Sequence, residues 1–361
     1  WAKDRAITTK AALIDTRKLW AEKVNFYLER EGFNERVTHQ SYLDLGLPIE
    51  ATRHEGWFAH KLEGMGKASR IINENEDIKD RNKERLALDP AAILQELTTK
   101  NATFSAMDLA RAIQGRVRDD AKLTAIVYES AIQQAILVGS SLDGQARYTS
   151  QDYFDKEREA LQWATHLSGQ LSEITLAESE TQGLIAGTFA YLNSEQQVAV
   201  AKLCQDKKLG VMIGRAGTGK TTTLKAVVAC HQNTGFKVFG LALSAVAAEN
   251  LKTEAQVEAE TIAFYLDKWS RLEVVQQQFW SLHPSSEHPA LVQKLERLSE
   301  YELSKNHLVI VDEAGMVGTT QWHQLLYFIQ RSGAKLIAAG DDHQFKAIEA
   351  GDFFRKLTQM C

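Results

Sequence analysis

Residues Gly214-Arg215-Ala216-Gly217-Thr218-Gly219-Lys220-Thr221 satisfy the pattern G-x-x-x-x-G-K-[ST], and their flanks decide how the pattern is read. The apolar run Leu209-Gly210-Val211-Met212-Ile213 precedes them, and Thr222-Thr223-Leu224-Lys225-Ala226-Val227-Val228 follows with helical character. A strand, a glycine-rich turn and a helix in that order let several backbone N–H groups converge at the positive end of a helix dipole, a geometry suited to phosphate oxygens. The cradle would comprise Gly214, Ala216, Gly217, Thr218, Gly219 and Thr222. Lys220 would reach the β- and γ-phosphates of ATP, and the Thr221 hydroxyl would bind Mg²⁺. A plain glycine turn has no use for Lys-Thr at that spot.

From about residue 185 short apolar runs alternate with helical stretches. Met212-Ile213, Val238-Phe239-Gly240-Leu241-Ala242, Leu308-Val309-Ile310-Val311 and Leu336-Ile337-Ala338-Ala339 read as parallel strands buried on both faces, so the fold class is α/β. The insert over residues 256–304 reads as helical, broken at Pro284 and Pro289. Asp312-Glu313 stands where the third strand ends, the edge at which open α/β sheets bind ligands. Asp312 is placed to hold Mg²⁺, and Glu313 to orient and deprotonate an attacking water, since phosphoryl transfer needs positioning more than covalent help. After the fourth strand comes Gly340-Asp341-Asp342-His343-Gln344, where Gln344 could touch both the γ-phosphate and the water. Upstream, Leu192-Asn193-Ser194-Glu195-Gln196 offers an amide able to pair with N6 and N7 of adenine, or simply a helix cap by Asn193 or Ser194.

The first half has another rhythm. Residues 1–80 carry helical apolar spacing with a turn at residues 31–34, and the charged run 73–84, a solvated helix face or a linker, marks a provisional boundary. Asp89-Pro90 predicts a helix start, Ser105 and Asp108 a capping box, and residues 122–134 a third helix. Ala135-Ile136-Leu137-Val138 and Arg147-Tyr148-Thr149 around Gly144 then suggest a hairpin. Three short helices and a hairpin form a winged-helix-like pattern, or a helical spacer, since no basic recognition helix stands out. A long amphipathic helix is expected over residues 152–176. The expected domains are thus 1–80, 85–180 and 185–361.

Composition removes several classes. A net charge of -5 over 361 residues gives no bulk signature of nucleic-acid binding, so any such contact must be local. Cys204, Cys230 and Cys361 have no C-x-x-C spacing, which argues against zinc or a disulfide framework and fits a reducing cytoplasm. No run approaches the roughly 20 apolar residues of a membrane span. A chain opening on Trp1 and closing at Cys361 in mid-pattern is expected to be a piece of something longer.

Together, L-N-x-E-Q-x-x-A-V, G-R-A-G-T-G-K-T-T, G-L-A-L-S-A-V-A-A-E-N-L, V-D-E-A-G-M and G-D-D-H-Q-F-K-A-I-E-A-G resemble the Q motif and motifs I, Ia, II and III of RecD-like superfamily 1 DNA helicases, whose first lobe is a RecA-like P-loop domain. The resemblance covers about 185–361. It implies adenine at Gln196, phosphates and Mg²⁺ at Gly217, Gly219, Lys220 and Thr221, metal and water at Asp312 and Glu313, and the γ-phosphate at Gln344. Ser244, Ala245 and Thr261 would lie near a single-stranded DNA track. Arg36-Val37-Thr38-His39-Gln40-Ser41-Tyr42 with Thr52-Arg53-His54-Glu55-Gly56 resembles the closing segment of MobA/MobL-type relaxases, with Gln40 and Thr38 in place of the usual Arg and Asp. The block containing Thr103-Phe104 and Arg147-Tyr148-Thr149 resembles the connector of TraA-type conjugative relaxase-helicases, which implies conjugation machinery as a partner. Relaxase tyrosine and histidine cluster would precede Trp1, and motifs IV to VI, with arginines worth roughly 10³ to 10⁵ in rate, would follow Cys361. The chain alone is therefore expected to bind ATP·Mg²⁺ and hydrolyse it weakly. The alternatives are another P-loop ATPase or kinase, and a non-catalytic nucleotide-binding remnant.

Overall fold

The computed structural model describes residues 9–30, 37–40, 49–117, 120–141, 143–174, 177–205, 207–215, 217–281, 288–341 and 352–360. The turn expected at residues 31–34 lies outside them. Two compact units succeed one another in the chain, the first running to Asp155 and the second from Lys156.

Among the described residues the first unit is helical apart from one hairpin: α1 (Lys10–Arg30), α2 (Trp57–Gly64), α3 (Arg70–Leu88), α4 (Ala91–Lys100), α5 (Ala106–Gln114), α6 (Ala121–Gln134), then β1 (Ile136–Ser140) and β2 (Ala146–Thr149). The charged run 73–84 is the middle of α3, not a linker. Its buried Asn75 and Asn82 amides each close two hydrogen bonds on the extended backbone before α2. Asn75 engages the N–H and carbonyl of Arg53, both at 2.8 Å, and Asn82 those of Glu50 at 2.9 and 2.8 Å. Buried amides require such partners. The capping box on α5 forms as its spacing predicts: Ser105 Oγ accepts from the Asp108 N–H at 3.2 Å, and Asp108 Oδ2 from the Ser105 N–H at 2.8 Å. The start of α4 falls one residue later than expected, with Pro90 at the N-cap, because Asp89 Oδ1 reaches past the proline to accept from the Ala91 N–H at 3.1 Å. Ile93, Leu94, Phe104, Leu109, Ile113 and Val127 fill the core of this unit. β1 and β2 pair antiparallel, and Tyr148 exchanges two 2.8 Å backbone bonds with Phe104.

α7 (Gln151–Gly169) leads into the second unit and stops at Gly169, short of the expected end near residue 176. The cause is tertiary: Gln170 O accepts from the Lys208 N–H at 3.1 Å and Leu171 bridges Lys207, so the backbone leaves the helix to meet the sheet. There follow α8 (Glu178–Ala186), α9 (Ser194–Leu203), β3 (Leu209–Ile213), α10 (Lys220–Asn233), β4 (Lys237–Ala242), α11 (Ala245–Ala255), β5 (Glu258–Thr261), α12 (Ile262–Ser281), α13 (Pro289–Ser299), β6 (His307–Val311), a 3-10 turn (Ala314–Met316), α14 (Thr319–Ser332), β7 (Lys335–Gly340) and α15 (Phe353–Thr358). The five strands form one parallel sheet in the order β3-β7-β6-β4-β5.

All four strands expected from apolar runs are present; β5 was expected as helix. Its sequence, Glu-Ala-Glu-Thr, buries only Ala259, which suffices at a sheet edge. In β6 and β7 alternate residues serve opposite layers. Leu308, Ile310 and Ile337 join Leu224 and Val227 on one face, while Val309, Val311, Leu336 and Ala338 join Trp322, Leu325 and Phe353 on the other. Among the described residues no helix is long and apolar enough to cross a membrane.

Candidate nucleotide site

The loop leaving β3 is held by its own backbone. Gly214 N–H donates to Gly340 O at 2.9 Å, tying the loop's entry to the end of β7, and Thr218 closes the loop by donating through Oγ1 to Arg215 O at 2.7 Å. Gly217 and Gly219 take φ of +78° and +81°, a region that favours glycine. A methyl group on Gly214 would lie 2.6 Å from Lys220 Cγ, so the lysine stem runs closely over the loop's first residue.

α10 begins at Lys220 with Gly219 at the N-cap. No side chain caps it, and its first turn carries no acid. Its first N–H groups are thus left for an anion, which is the fit a phosphate requires. Lys220, Thr221 and Thr222 are half-buried in that first turn. Ala216, Gln344 and its neighbours Asp342 and His343 lie outside the described residues.

Gln196 sits at the start of α9 in a capping box with Asn193. Its Oε1 accepts from the Asn193 N–H at 3.0 Å, and Asn193 Oδ1 from the Gln196 N–H at 2.9 Å. Its Nε2 donates to Thr218 O at 3.2 Å and lies 3.5 Å from Gly219 O. The amide therefore ties α9 to the phosphate loop. Sequence reasoning missed that tie, although the N-x-x-Q spacing signalled the cap.

Asp312 and Glu313 leave β6 at the same sheet end as the loop leaves β3, with β7 between. Asp312 N–H continues the ladder to Leu241 O at 3.0 Å, and its Oδ1 accepts from the Glu313 N–H at 2.9 Å. Burial raises its carboxyl above the ordinary aspartate value, while that N–H bond and the charge of Lys220 pull the other way. A half-buried carboxylate with incomplete compensation suits a cation. No cluster of three or more His, Cys, Asp or Glu forms a metal cage among the described residues. Glu313 adopts φ +52°, a left-handed turn that costs a non-glycine residue roughly 1–3 kcal/mol and redirects the chain into the 3-10 turn.

Ser244 follows β4, and Thr261 is the last residue of the adjacent strand β5. Both are helix caps: Ser244 Oγ accepts from the Ala247 N–H at 3.1 Å, and Thr261 Oγ1 from the Phe264 N–H at 3.2 Å. Ala245 opens α11 beside the exposed Val246.

A parallel sheet with helices on both faces and a glycine-rich loop feeding a helix define a P-loop, RecA-like α/β domain. Comparison with known proteins agrees: residues 191–360 match the AAA domain, and residues 1–65 match the MobA/MobL family. The chain is similar to the conjugal transfer protein TraA of Agrobacterium fabrum, 26% identical over 353 residues, covering 94% of this chain and 30% of TraA. RecBCD enzyme subunit RecD of Mycolicibacterium smegmatis is 27% identical over 171 residues, 46% of this chain and 30% of RecD. The multifunctional conjugation protein TraI of Escherichia coli K12 is 28% identical over 169 residues, 45% of this chain and 8% of TraI. The resemblance to TraA-type relaxase-helicases read from the motifs is thus borne out, and the chain spans about a third of the length of the TraA relative. At the level of the family, the AAA domain carries nucleotide and divalent-metal use.

Proposed function

We propose that residues 185–361 are the ATP-binding motor lobe of a DNA helicase of the conjugative relaxase-helicase type. In this reading the lobe couples ATP hydrolysis to movement along single-stranded DNA when a second RecA-like lobe is present, and this chain alone binds ATP with Mg²⁺ but hydrolyses it weakly. Residues 1–80 are read as the closing segment of a MobA/MobL-like relaxase region and 85–180 as a winged-helix-like connector, the whole working in the cytoplasm with the conjugation machinery.

One observation carries the proposal: the phosphate loop and the Asp312-Glu313 turn leave the same end of one parallel sheet, separated by a single strand. The N–H groups of the loop and of the first turn of α10 hold phosphate oxygens, and Lys220 compensates charge toward the terminal phosphates. Thr221 and Asp312 would hold Mg²⁺, which when bound neutralises charge on the β- and γ-phosphate oxygens. Glu313 orients the attacking water and accepts its proton. Gln196 faces adenine once its amide leaves the Thr218 carbonyl, and Gln344 contacts the γ-phosphate. Ser244, Ala245 and Thr261, at the ends of β4 and β5, border the DNA track.

Titration with a fluorescent ATP analogue tests this. The expected result is Mg²⁺-dependent binding, weakened more than about tenfold, or ~1.4 kcal/mol, in Lys220→Ala. Binding indifferent to Mg²⁺ or to that substitution overturns the nucleotide assignment. In a chain lengthened to include a second lobe, hydrolysis unmoved by single-stranded DNA overturns the helicase assignment.

A further inference from the structure

The turns leaving β6 and β7 touch backbone to backbone, and both touch one side chain that belongs to none of the motifs. A methyl group on Gly315 would lie 2.8 Å from Asp341 O and 3.7 Å from Phe354 Cδ1. One on Gly340 would lie 2.9 and 3.0 Å from Phe354 Cε1 and Cζ and 3.0 Å from Gly315 N. Gly340 O also receives the Gly214 N–H that anchors the phosphate loop. Three turns therefore meet at Gly340, and the Phe354 ring, 1% exposed, occupies the hollow that the two glycines leave.

We propose that Phe354 is a positioning residue of the nucleotide site, a floor that sets the Glu313–Gly315 turn against Gly340–Asp341 and so lets the site tell a nucleoside triphosphate from a diphosphate. The inference rests on the nucleotide assignment above. Its logic is chemical. The backbone cradle serves phosphates that ATP and ADP share, so besides Lys220 the groups placed to sense the γ-phosphate stand on the other two turns at that sheet end. Their closest approach is a contact of backbone on backbone, because glycine faces carbonyl across the gap. A change at the ring is passed to both turns, since a packed junction of this density has no slack to absorb it.

The test measures Mg²⁺-dependent affinity for a non-hydrolysable ATP analogue and for ADP, with thermal melting alongside, in Phe354→Leu, Phe354→Ala, Gly340→Ala and Gly340→Ala with Phe354→Leu. The expected result is about a tenfold loss for the ATP analogue in Phe354→Ala with ADP affinity held within about twofold, and a smaller loss of the same kind in Phe354→Leu. Gly340→Ala, whose methyl strikes the ring, should show the same selective loss, and Phe354→Leu in that background should restore part of it. Equal losses for both nucleotides, or unchanged affinities with lowered melting, would mean that the ring merely supports the fold and would overturn the proposal. Absence of any nucleotide binding by the unaltered chain overturns the underlying assignment instead, and needs no variant to be seen.

Discussion

Gly219→Ala is the substitution whose cost can be built up from the structure. At φ +81° an L side chain costs roughly 1–2 kcal/mol. The new methyl would also lie 2.4 Å from Gln196 Nε2, so the amide has to retreat and gives up its 3.2 Å bond to Thr218 O, worth about 1 kcal/mol. Together these amount to about 2–3 kcal/mol. In a unit of about 200 residues each kcal/mol moves the melting point by about 2–4 °C, so a fall of about 4–12 °C is expected by circular dichroism. A double-mutant cycle separates the two contributions. In a Gln196→Ala background nothing remains to collide with, and Gly219→Ala should cost only its backbone share, a coupling of about 1 kcal/mol. A drop under about 2 °C, or strictly additive losses, would refute the reasoning.

Two further outcomes are expected. His231 is fully buried, with Nδ1 2.8 Å from Val227 O, and burial aided by the charge of Lys335 pushes its pKa down to about 3. The unfolded chain takes up this proton below about 6.5 and the folded one does not, so stability is full above that pH and falls by up to about 1.4 kcal/mol per unit down to the folded value. His231→Leu should flatten the melting profile between about pH 6.5 and 5; slopes identical to those of the unaltered chain would contradict the assignment. Trp322 is fully buried against Phe353, and its Nε1 has no partner among the described residues. Trp322→Ala should cost about 3–5 kcal/mol in urea unfolding. Trp322→Phe should cost far less, because it removes a buried donor that nothing accepts; equal costs for the two would show that the cavity is not what matters.

How far the sequence speaks depends on where each residue finds its partners. β6 and β7 are legible because both faces are covered, which demands unbroken apolar runs. β5 is not, since an edge strand needs only Ala259 inward and its acids point to water. The phosphate loop is legible because most of its chemistry is local, Gly217 and Gly219 answering left-handed turns within it. Gln196 was half legible: its cap lies three residues off, but its contact with the loop spans 22. The Asn75 and Asn82 amides look like solvated polarity in a charged run, and only the distant backbone of residues 50 and 53 explains them. Phe354 carries no motif at all; its place is fixed by the absence of side chains on Gly315 and Gly340.

The order of the sheet has a consequence in time. β3, which carries the phosphate loop, pairs among the described strands only with β7, and Leu209 meets Leu336 127 positions later. β4, β5 and β6 are all made in between. Closing so long a span costs entropy before the pairing repays it, and such pairings form slowly. The loop's anchor, Gly214 N–H to Gly340 O, belongs to that last pairing. The phosphate loop therefore gains its anchor only once β7, the last of the described strands in the chain, has paired with β3.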